Sequence, residues 1–544
     1  MSAQRSPRGG EERPGNVVAL AALASGIRGL VSQARARRGE RAELRSYGEI
    51  ERRTCEVHRP DSVAALKMIL ADMARQGRRV TFRAGGCSLD AQSLNGDVVI
   101  LLDALDDIAL SDEPGAPTVT VGPGARWGDI ARLLEARGLV PHVVVSTSLA
   151  TAGGTASADC VSRFSSSLGK ESRFIVELTL LTVDGEELVL DRSDEKRELF
   201  LGVIGGLGYL GVITSLTYSV LRVRADGPPR APLRVRTRVK KCLDLDAFIE
   251  PGGLWKPRRR SPPPGARLRS RSVKELARTF QQKVSASLET ESHENATAFY
   301  GVICRGGRPR GLIFESTYVR TDELRPMPQH QLDHPLRPLA EWMARGYITG
   351  PLFWWGTYLM FQEKVDYIDD LFGYTFFMDG NVQTRAAERR LGITTFTLQQ
   401  TYVIPSSQDT LDKFLDGAVE LIASRDLDPQ LFDVLFVSED DAWLSASRGQ
   451  SGFAVTVAFE TVRPGRLPAL EHALRQLARM CLEAGGRVHL GKTVCAEPEV
   501  LREMYKGGLE KFLALKNRLD PGRVLRNEFL ERIFPELAEK PASP

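Results

Sequence analysis

The sequence predicts an α+β protein with more than one domain. Apolar residues alternate with a period of two in short stretches such as residues 118–121, and they recur at helical spacing in others such as residues 63–75. Residues 394–492 follow the order strand, helix, strand, strand, helix, strand, which is typical of a sheet with helices on one face. At 544 residues, the chain is long enough for two or three domains with a large core.

The composition excludes several classes of protein. The chain is 42% hydrophobic and 26% charged, which is ordinary for a globular protein. A formal net charge of +4 is too small to indicate a nucleic-acid partner. The seven cysteines are scattered and form neither a CxxC pair nor a Cys/His cluster, so no metal site and no disulfide framework is predicted. This cysteine usage favours a reducing compartment, and we expect a cytoplasmic protein.

The N-terminal segment leaves one alternative open. Residues 1–16 are polar and have no signal-peptide pattern. Residues 17–31 are apolar but too short for a membrane span, and Gly26 and Arg28 interrupt them. A docked amphipathic helix is the main expectation. A helix on a membrane surface is the alternative, because several arginines follow it.

Three Gly-rich or hydroxyl-rich stretches occur in the first half of the chain. Residues 84–88 (AGGCS) can form a concave turn whose free N–H groups bind an anion, although an ordinary hairpin turn explains the glycines equally well. Residues 146–169 are rich in Ser, Thr and Gly and suit a loop lying along a large ligand. Residues 206–211 match GxGxxG literally, but a strand follows them instead of a helix, which disfavours a Rossmann site.

The order of these motifs resembles the FAD-binding domain of the vanillyl-alcohol oxidase (PCMH-type) superfamily. The resemblance covers roughly residues 46–224 and rests on four separated motifs: Arg83–Ser88 with Asn95, Val121–Ala125 with Trp127, Thr151–Gly154, and Gly205–Gly208 with Gly211–Thr214. Residues 482–529 look most like decaprenylphosphoryl-ribose oxidase and, more distantly, the aldonolactone and alditol oxidases. The aromatic middle section loosely resembles the Δ24-sterol reductases.

The resemblance implies a fold and a domain order. The predicted fold class is α+β, with a two-subdomain PCMH-type FAD-binding domain followed by a substrate domain whose sheet is covered by helices. We expect the following domains: an N-terminal tail and helix (1–45), the FAD-binding domain (46–224), an insertion with a basic flexible loop at 256–274 (225–295), a substrate domain that returns to the flavin (296–530), and a tail (531–544). The many aromatic residues within 338–377 are either the core of that domain or a pocket for an apolar substrate.

The resemblance also implies a set of FAD-binding residues. They are Arg83, Ala84, Gly85, Gly86, Cys87, Ser88, Gln92, Ser93, Ser146, Thr151, Ala152, Gly153, Gly154, Ser162, Val212, Ile213 and His489. Many members of the superfamily carry a flavin-linked histidine where this chain has Cys87, and the second attachment point of bicovalent members falls near Thr147. We therefore predict that FAD is bound non-covalently, with a cysteinyl link at Cys87 as the alternative.

Three residues are candidates for catalysis. The resemblance puts Lys492 beside the pyrimidine edge of the flavin, where a cation stabilises negative charge. Gln399 and Thr401 share one face of a predicted strand and would orient the substrate. The alternatives are a surface lysine and two solvent-facing polar residues. On an ideal strand His489 would face away from Lys492. No general base is identifiable from the sequence.

The predicted function is FAD-dependent oxidation of an alcohol group on a sugar, a polyol or a prenyl-linked sugar, by hydride transfer to the flavin. The substrate is therefore a small or lipid-linked molecule. The alternative is a flavin reductase that uses NAD(P)H to reduce a sterol or isoprenoid C=C bond. A third hypothesis is a flavin-fold binding protein without catalysis. The sequence leaves the electron acceptor, the direction of reaction and the oligomeric state open.

Overall fold

A computed structural model gives the structure of the chain. It describes residues 39–541 apart from residues 114, 143, 223–230, 243–296, 305–309, 328–329, 331–342, 344–358, 360, 362–364, 407, 426 and 428. The predicted helix at 17–31, the basic loop at 256–274 and the aromatic residues between 342 and 358 lie outside the described residues.

The first sheet and its helix come from the N-terminal elements, which are β1 (Glu40–Arg45), β2 (Arg52–His58), α1 (Val63–Arg75), β3 (Val80–Arg83) and β4 (Val98–Leu101). The strand order is β1–β2–β4–β3; the β1–β2 pair is antiparallel and the other two pairs are parallel. The Ser62 hydroxyl accepts a hydrogen bond from the N–H of Ala65 (3.3 Å) and caps α1. Leu66 and Leu70 pack from α1 onto Val98 of the sheet, so the apolar helical stripe in the sequence becomes the core face.

The second sheet is antiparallel and carries most of the loops around the site. Its elements and the associated helices are β5 (Ile108–Ser111), β6 (Thr118–Val121), α2 (Trp127–Ala136), β7 (Leu139–Pro141), α3 (Ala152–Ala158), α4 (Ser165–Leu168), β8 (Ile175–Leu181), β9 (Glu187–Leu190), α5 (Asp194–Val203) and β10 (Val212–Arg222). The order is β5–β6–β10–β8–β9, and β7 pairs with the end of β10. Gly185 makes the turn between β8 and β9 at a φ of +86°, as the Asp-Gly pair predicts.

The third sheet is an eight-stranded antiparallel sheet. Its elements are β11 (Leu233–Cys242), β12 (Thr297–Cys304), β13 (Arg310–Arg320), β14 (Tyr367–Asp369), α6 (Leu371–Thr375), α7 (Asp379–Arg390), β15 (Phe396–Pro405), α8 (Gln408–Ser424), β16 (Leu431–Val437), β17 (Gly452–Thr461), α9 (Leu467–Glu483) and β18 (Arg487–Val488). The strand order is β14–β11–β13–β12–β16–β17–β15–β18.

Alternation along β15 separates the two faces of the third sheet. The Gln400 amide and the Tyr402 hydroxyl each donate a 3.0 Å hydrogen bond to the carbonyl oxygen of Leu474 in α9, so this face is covered by helix. Residues Gln399 and Thr401 point the opposite way, toward a large cleft.

The C-terminal helices return to the first sheet. They are α10 (Pro498–Leu519), α11 (Glu528–Ile533) and α12 (Pro535–Ala538). Leu525 forms a parallel β-bridge with Val80. The fully buried Asn527 side chain donates hydrogen bonds to the carbonyl oxygens of Gln92 (3.0 Å) and Leu94 (2.9 Å). The last fifty residues therefore complete a part of the fold that begins near residue 40.

The mixed helix and sheet content confirms the predicted α+β class. The domain boundaries at residues 45, 224, 295 and 530 stay predictions. Among the described residues, no helix is both long enough and apolar enough to cross a lipid bilayer.

Candidate active site

One large cleft brings the three sheets together. It encloses about 2330 Å³, including its open mouth, and we call it the main cleft. Its wall includes Gly85 after β3, Val212 on β10 and Thr401 on β15, so each sheet contributes to it. The part of this cleft that water molecules can occupy is about 420 Å³, which lies within the range of about 300–1,000 Å³ for pockets of drug-sized ligands.

The turn after β3 offers a row of free backbone donors. The N–H groups of Gly85, Gly86, Cys87 and Ser88 donate no hydrogen bond to any residue that the structure describes. Gly86 has a φ of +66°, which glycine adopts without strain. The Ser88 carbonyl oxygen accepts a hydrogen bond from the N–H of Tyr47 (2.8 Å), which fixes the turn from behind. Successive free N–H groups in such a turn form an anion-binding concavity.

The start of α3 forms the facing wall. Gly153 lies against Pro123 so closely that an added Cβ would meet the Pro123 Cβ at 2.7 Å, which explains a glycine there. The buried hydroxyl oxygen of Thr151 has no hydrogen-bond partner among the described residues, although Thr151 lines the main cleft. A ligand with polar oxygens would satisfy it.

Most of the predicted site residues line the main cleft. They are Ala84, Gly85, Gly86, Cys87, Ser88, Gln92, Ser93, Ser146, Thr151, Gly153, Gly154, Ser162, Val212, Ile213, Gln399, Thr401, His489 and Lys492. The structure does not bring two others to the wall. Arg83 turns away and donates 3.0 Å hydrogen bonds to the Ser93 hydroxyl and the Arg45 carbonyl oxygen. Ala152 is fully buried in the core.

The segment that carries His489 and Lys492 is held by backbone hydrogen bonds to β15. The N–H of His489 donates to the carbonyl oxygen of Thr401 (2.8 Å), and the N–H of Thr493 donates to that of Gln399 (2.9 Å). From the first sheet, the Gln92 amide donates to the carbonyl oxygens of Leu490 (3.0 Å) and Lys492 (2.6 Å).

This segment corrects the expectation that His489 and Lys492 face opposite ways. Strand β18 ends at Val488, and the chain then turns through Gly491. Alternation therefore stops before His489, and both side chains line the main cleft.

A row of polar side chains crosses the cleft face of the third sheet. Asp433 on β16, Thr456 on β17 and Thr401 on β15 are cross-strand neighbours. The hydroxyl oxygens of Thr401 and Thr456 lie 3.0 Å apart, and the Thr456 hydroxyl donates to the Asp433 carboxylate. We call these three residues the polar row. Asp433 and Thr456 are not among the site residues predicted from the sequence. A lone acid within the apolar run of residues 431–437 was the signal that could have found Asp433.

Burial raises the pKa of the Asp433 carboxyl to about 6, although the Thr456 hydroxyl and the positive charges of Lys492 and Arg163 oppose that shift. The other Asp433 carboxylate oxygen, Oδ1, is buried without a hydrogen-bond partner among the described residues. At neutral pH, Asp433 is therefore mostly ionised and has an unused acceptor.

Three other titratable groups of the cleft wall, Cys87, Cys160 and His489, are neutral at pH 7. Burial raises the pKa of the Cys87 thiol to about 11 and that of the Cys160 thiol to about 12. Burial, followed by the charges of Lys170 and Lys492, lowers the pKa of His489 to about 3, so its imidazole is uncharged. Among the described residues, the charges in the wall are therefore the cations Lys492 and Arg163 and the carboxylate of Asp433.

A buried ion cluster supports the wall from behind. The Lys170 ammonium contacts the carboxylates of Asp159 and Asp440 and donates to the Ser445 hydroxyl (2.6 Å). The side chains of Lys170 and Asp159 are each 2% exposed. Asp159 immediately precedes Cys160 in the cleft wall, so the cluster fixes the end of α3.

Some aromatic residues of the middle section lie within the described part of the chain, and these contribute to both wall and core. Phe361 and Phe377 line the main cleft. Phe361 also packs edge-on against Phe314 and Tyr367, and all three are buried. Pocket and core, which the sequence offers as alternatives, therefore coincide at Phe361.

These features fit FAD. The turn at Gly85–Ser88 and the start of α3 offer backbone and hydroxyl donors that suit a pyrophosphate, and Lys492 lines the same cleft.

Comparisons with known proteins agree with this fit. Residues 56–191 match the family described as "FAD binding domain", and residues 410–533 match the family described as "D-arabinono-1,4-lactone oxidase". The alditol oxidase of Streptomyces sp. (strain IKD472 / FERM P-14339) is 32% identical over 510 residues, which cover 90% of this chain and 97% of that protein.

Two further relatives match different shares of this chain. The L-gulono-1,4-lactone dehydrogenase of Mycobacterium tuberculosis is 24% identical over 496 residues, covering 88% of this chain and 95% of that protein. Cytokinin dehydrogenase 2 of Arabidopsis thaliana is 30% identical over 159 residues, covering 28% of this chain and 31% of that protein.

The chain is a FAD-dependent oxidoreductase of the vanillyl-alcohol oxidase (PCMH-type) superfamily. The match to the alditol oxidase is 32% identical and covers 90% of this chain, so the chain can be assigned to a narrower family. Within that superfamily, it belongs to the family that contains the alditol oxidase.

Proposed function

We propose that this enzyme oxidises an alcohol group of a sugar or polyol by hydride transfer to FAD. The observation that carries the proposal is the polar row, which shares the main cleft with Lys492. A polyhydroxy substrate needs several acceptors and donors along one wall, and the carboxylate and two hydroxyls of the polar row are such groups.

The residues of the main cleft would have different roles in the reaction. FAD supplies the two-electron acceptor that takes the hydride from the substrate carbon. In this proposal the unused Oδ1 of Asp433 accepts the proton of the reacting hydroxyl, since Asp433 is mostly ionised at neutral pH. Lys492 stabilises negative charge that develops near it. Thr401 and Gln399 orient the other hydroxyl groups of the substrate.

The substrate class follows from the relatives by analogy. The related proteins are named for an alditol and for L-gulono-1,4-lactone, so we infer an alditol or an aldonolactone as the first substrates to try. A prenyl-linked sugar is the lipid-linked form of the same proposal. The Asp433 carboxylate favours hydroxyl donors over an apolar C=C bond, which argues against the reductase alternative.

The cofactor is proposed to be bound non-covalently. Cys87 lies in the wall, but burial keeps its thiol protonated at neutral pH, and a thiol is a poor nucleophile compared with a thiolate. A cytoplasmic location, with peripheral membrane contact as the alternative, is likewise a proposal that cell fractionation would test.

Anaerobic stopped-flow spectroscopy tests the function. The FAD-loaded protein is mixed separately with xylitol, L-gulono-1,4-lactone and NADPH, and flavin bleaching is followed. Bleaching by xylitol or the lactone supports the proposal. Bleaching by NADPH alone would replace it with the reductase. Subsequent mixing with oxygen or a quinone identifies the electron acceptor.

A further inference from the structure

A second cavity adjoins the main cleft. Its space is about 700 Å³, including its open mouth, and we call it the side cavity. Ser146, Ser162, Arg163 and Phe377 line both spaces, so these four residues form a shared partition. The far rim of the side cavity carries the exposed Glu135 of α2.

The side cavity has an aromatic lining that contrasts with the polar row. Its rings are Phe164, Tyr318, Phe372, Tyr374, Phe376 and Phe377. The rings of Phe164 and Tyr318 stack with centroids 4.7 Å apart and planes 5° apart. Such a lining presents flat apolar surfaces, which favour a ligand ring over a hydroxylated chain.

Arg163 is held at the partition from two directions. Its guanidinium carbon lies 3.6 Å from the ring centroid of Phe377 and 5.2 Å from that of Tyr374. Its Nη1 lies 2.9 Å from Nε2 of His330, whose other ring nitrogen lies 2.9 Å from the Asp369 carboxylate.

This chain of contacts fixes the cation. The side chains of His330 and Asp369 are fully buried. Since the Arg163 guanidinium can only donate, Nε2 of His330 accepts its hydrogen bond and the proton of the imidazole faces Asp369. Arg163 is thus a preorganised donor at the boundary between a polar compartment and an aromatic one.

The polar row lies in the main cleft, the Arg163 guanidinium lies at the partition, and the aromatic rings line the side cavity. We propose that the substrate is amphipathic: a polyhydroxy group that is oxidised in the main cleft, and a compact apolar ring, joined to it through an oxygen atom, that enters the side cavity. This inference rests on the proposed function and narrows its substrate class. Arg163 would donate to the linking oxygen, and the six rings would enclose the apolar group.

Binding without turnover tests the side cavity. The FAD-loaded enzyme is reduced with dithionite under nitrogen and titrated by calorimetry with 1-O-benzylxylitol and with 1-O-methylxylitol. Both probes carry the same polyol and the same ether oxygen, and only the first carries a ring. We expect the benzyl ether to bind at least tenfold more tightly.

A matched pair of variants localises the effect. Ala131 lines the side cavity, and Ala136 lies exposed on the last turn of the same helix, away from the cavity. Ala131→Trp should remove the preference for the benzyl ether and leave the methyl ether unchanged, while Ala136→Trp should change neither. If Ala131→Trp does not fold, Val144→Phe fills the cavity from another wall.

Two results would overturn the inference: equal affinity of the wild type for both ethers, or a preference that survives Ala131→Trp and Val144→Phe. A different result would show that the proposed function is wrong while the side cavity still binds the ring. The wild type would then prefer the benzyl ether and lose this preference in Ala131→Trp, but neither ether would bleach the oxidised flavin.

Discussion

The amide nitrogen of Gln92 donates a 2.6 Å hydrogen bond to the carbonyl oxygen of Lys492, 400 residues further along the chain. The same amide reaches the carbonyl oxygen of Leu490 at 3.0 Å. Gln92 lies next to the Gly85–Ser88 turn, which we call the flavin turn, and Gln92 and Lys492 both line the main cleft. One side chain therefore ties the neighbourhood of this turn to the segment that carries Lys492.

Replacement of this amide should loosen the Lys492 segment. Gln92→Met keeps the length of the side chain but removes both hydrogen bonds. We expect FAD to stay bound and the rate of flavin reduction by substrate to fall about 10- to 100-fold, because a small misplacement of a positioned group has that cost. Stopped-flow measurement checks this, with the exposed Gln76→Met as control. Equal rates in both variants would remove Gln92 from this role.

Lys492→Ala should slow the reduction of the flavin by substrate without weakening FAD binding. The cation stabilises charge only as the substrate reacts, so FAD content should stay normal while the rate of flavin reduction falls about 10²- to 10³-fold. Lys506→Ala, on the exposed face of α10, is the matched control. Unchanged reduction kinetics in Lys492→Ala would exclude Lys492 from the reacting centre.

The pKa of Asp433 predicts how the rate of flavin reduction depends on pH. Below its pKa of about 6 the carboxyl is protonated and cannot accept the hydroxyl proton, so the rate of flavin reduction should rise with pH and level off above 7. Asp433→Asn should lower the plateau and abolish this limb. Thr456→Val removes a hydrogen bond that lowers the pKa of Asp433, so it should shift the midpoint to higher pH. A midpoint that stays fixed in Thr456→Val would contradict the assignment.

The flavin should be released by acid. When the yellow protein is precipitated with acid, we expect FAD in the supernatant, because the only cysteine of the flavin turn is held as a thiol. Cys87→Ser should retain the same FAD content. Flavin in the pellet of the wild type that moves to the supernatant in Cys87→Ser would establish a cysteinyl link instead.

The buried ion cluster predicts a large effect on stability. Lys170→Met leaves the carboxylates of Asp159 and Asp440 buried without their counter-ion, which should lower the free energy of unfolding by about 3–5 kcal/mol. Lys196→Met, which breaks a surface pair with Asp191, should have little effect on the free energy of unfolding, because solvent screens this pair. Urea unfolding compares the two. Similar midpoints in both variants would show that the cluster contributes little to stability.

The local parts of the fold could be predicted because local residues determine them. Ser62 and the apolar residues after it define α1, and Gly185 defines the β8–β9 turn. The flavin turn was also visible, since Gly85 and Gly86 permit it without help from distant residues.

Other parts of the site depend on contacts between residues that are distant in the sequence, and the sequence does not reveal these contacts. Asp433 looks like a polar residue on a strand until Thr456 and Thr401 are aligned beside it by pairing over some fifty residues. Arg163 stands in a serine-rich loop, and its role depends on His330 and Asp369, which lie far along the chain. His489 and Lys492 do not face opposite ways, as they would on an ideal strand, because the strand ends at Val488.

The closure of the first sheet by Asn527 has a consequence for biosynthesis. Its amide bonds the Gln92 carbonyl oxygen across 435 residues. At about 5–20 residues per second, a ribosome needs roughly 20–90 seconds to travel that distance. Throughout this time the Gly85–Ser88 turn and the residues that follow it lack the C-terminal segment that packs beside them. The cleft as a whole can therefore form only after residue 527 has been synthesised.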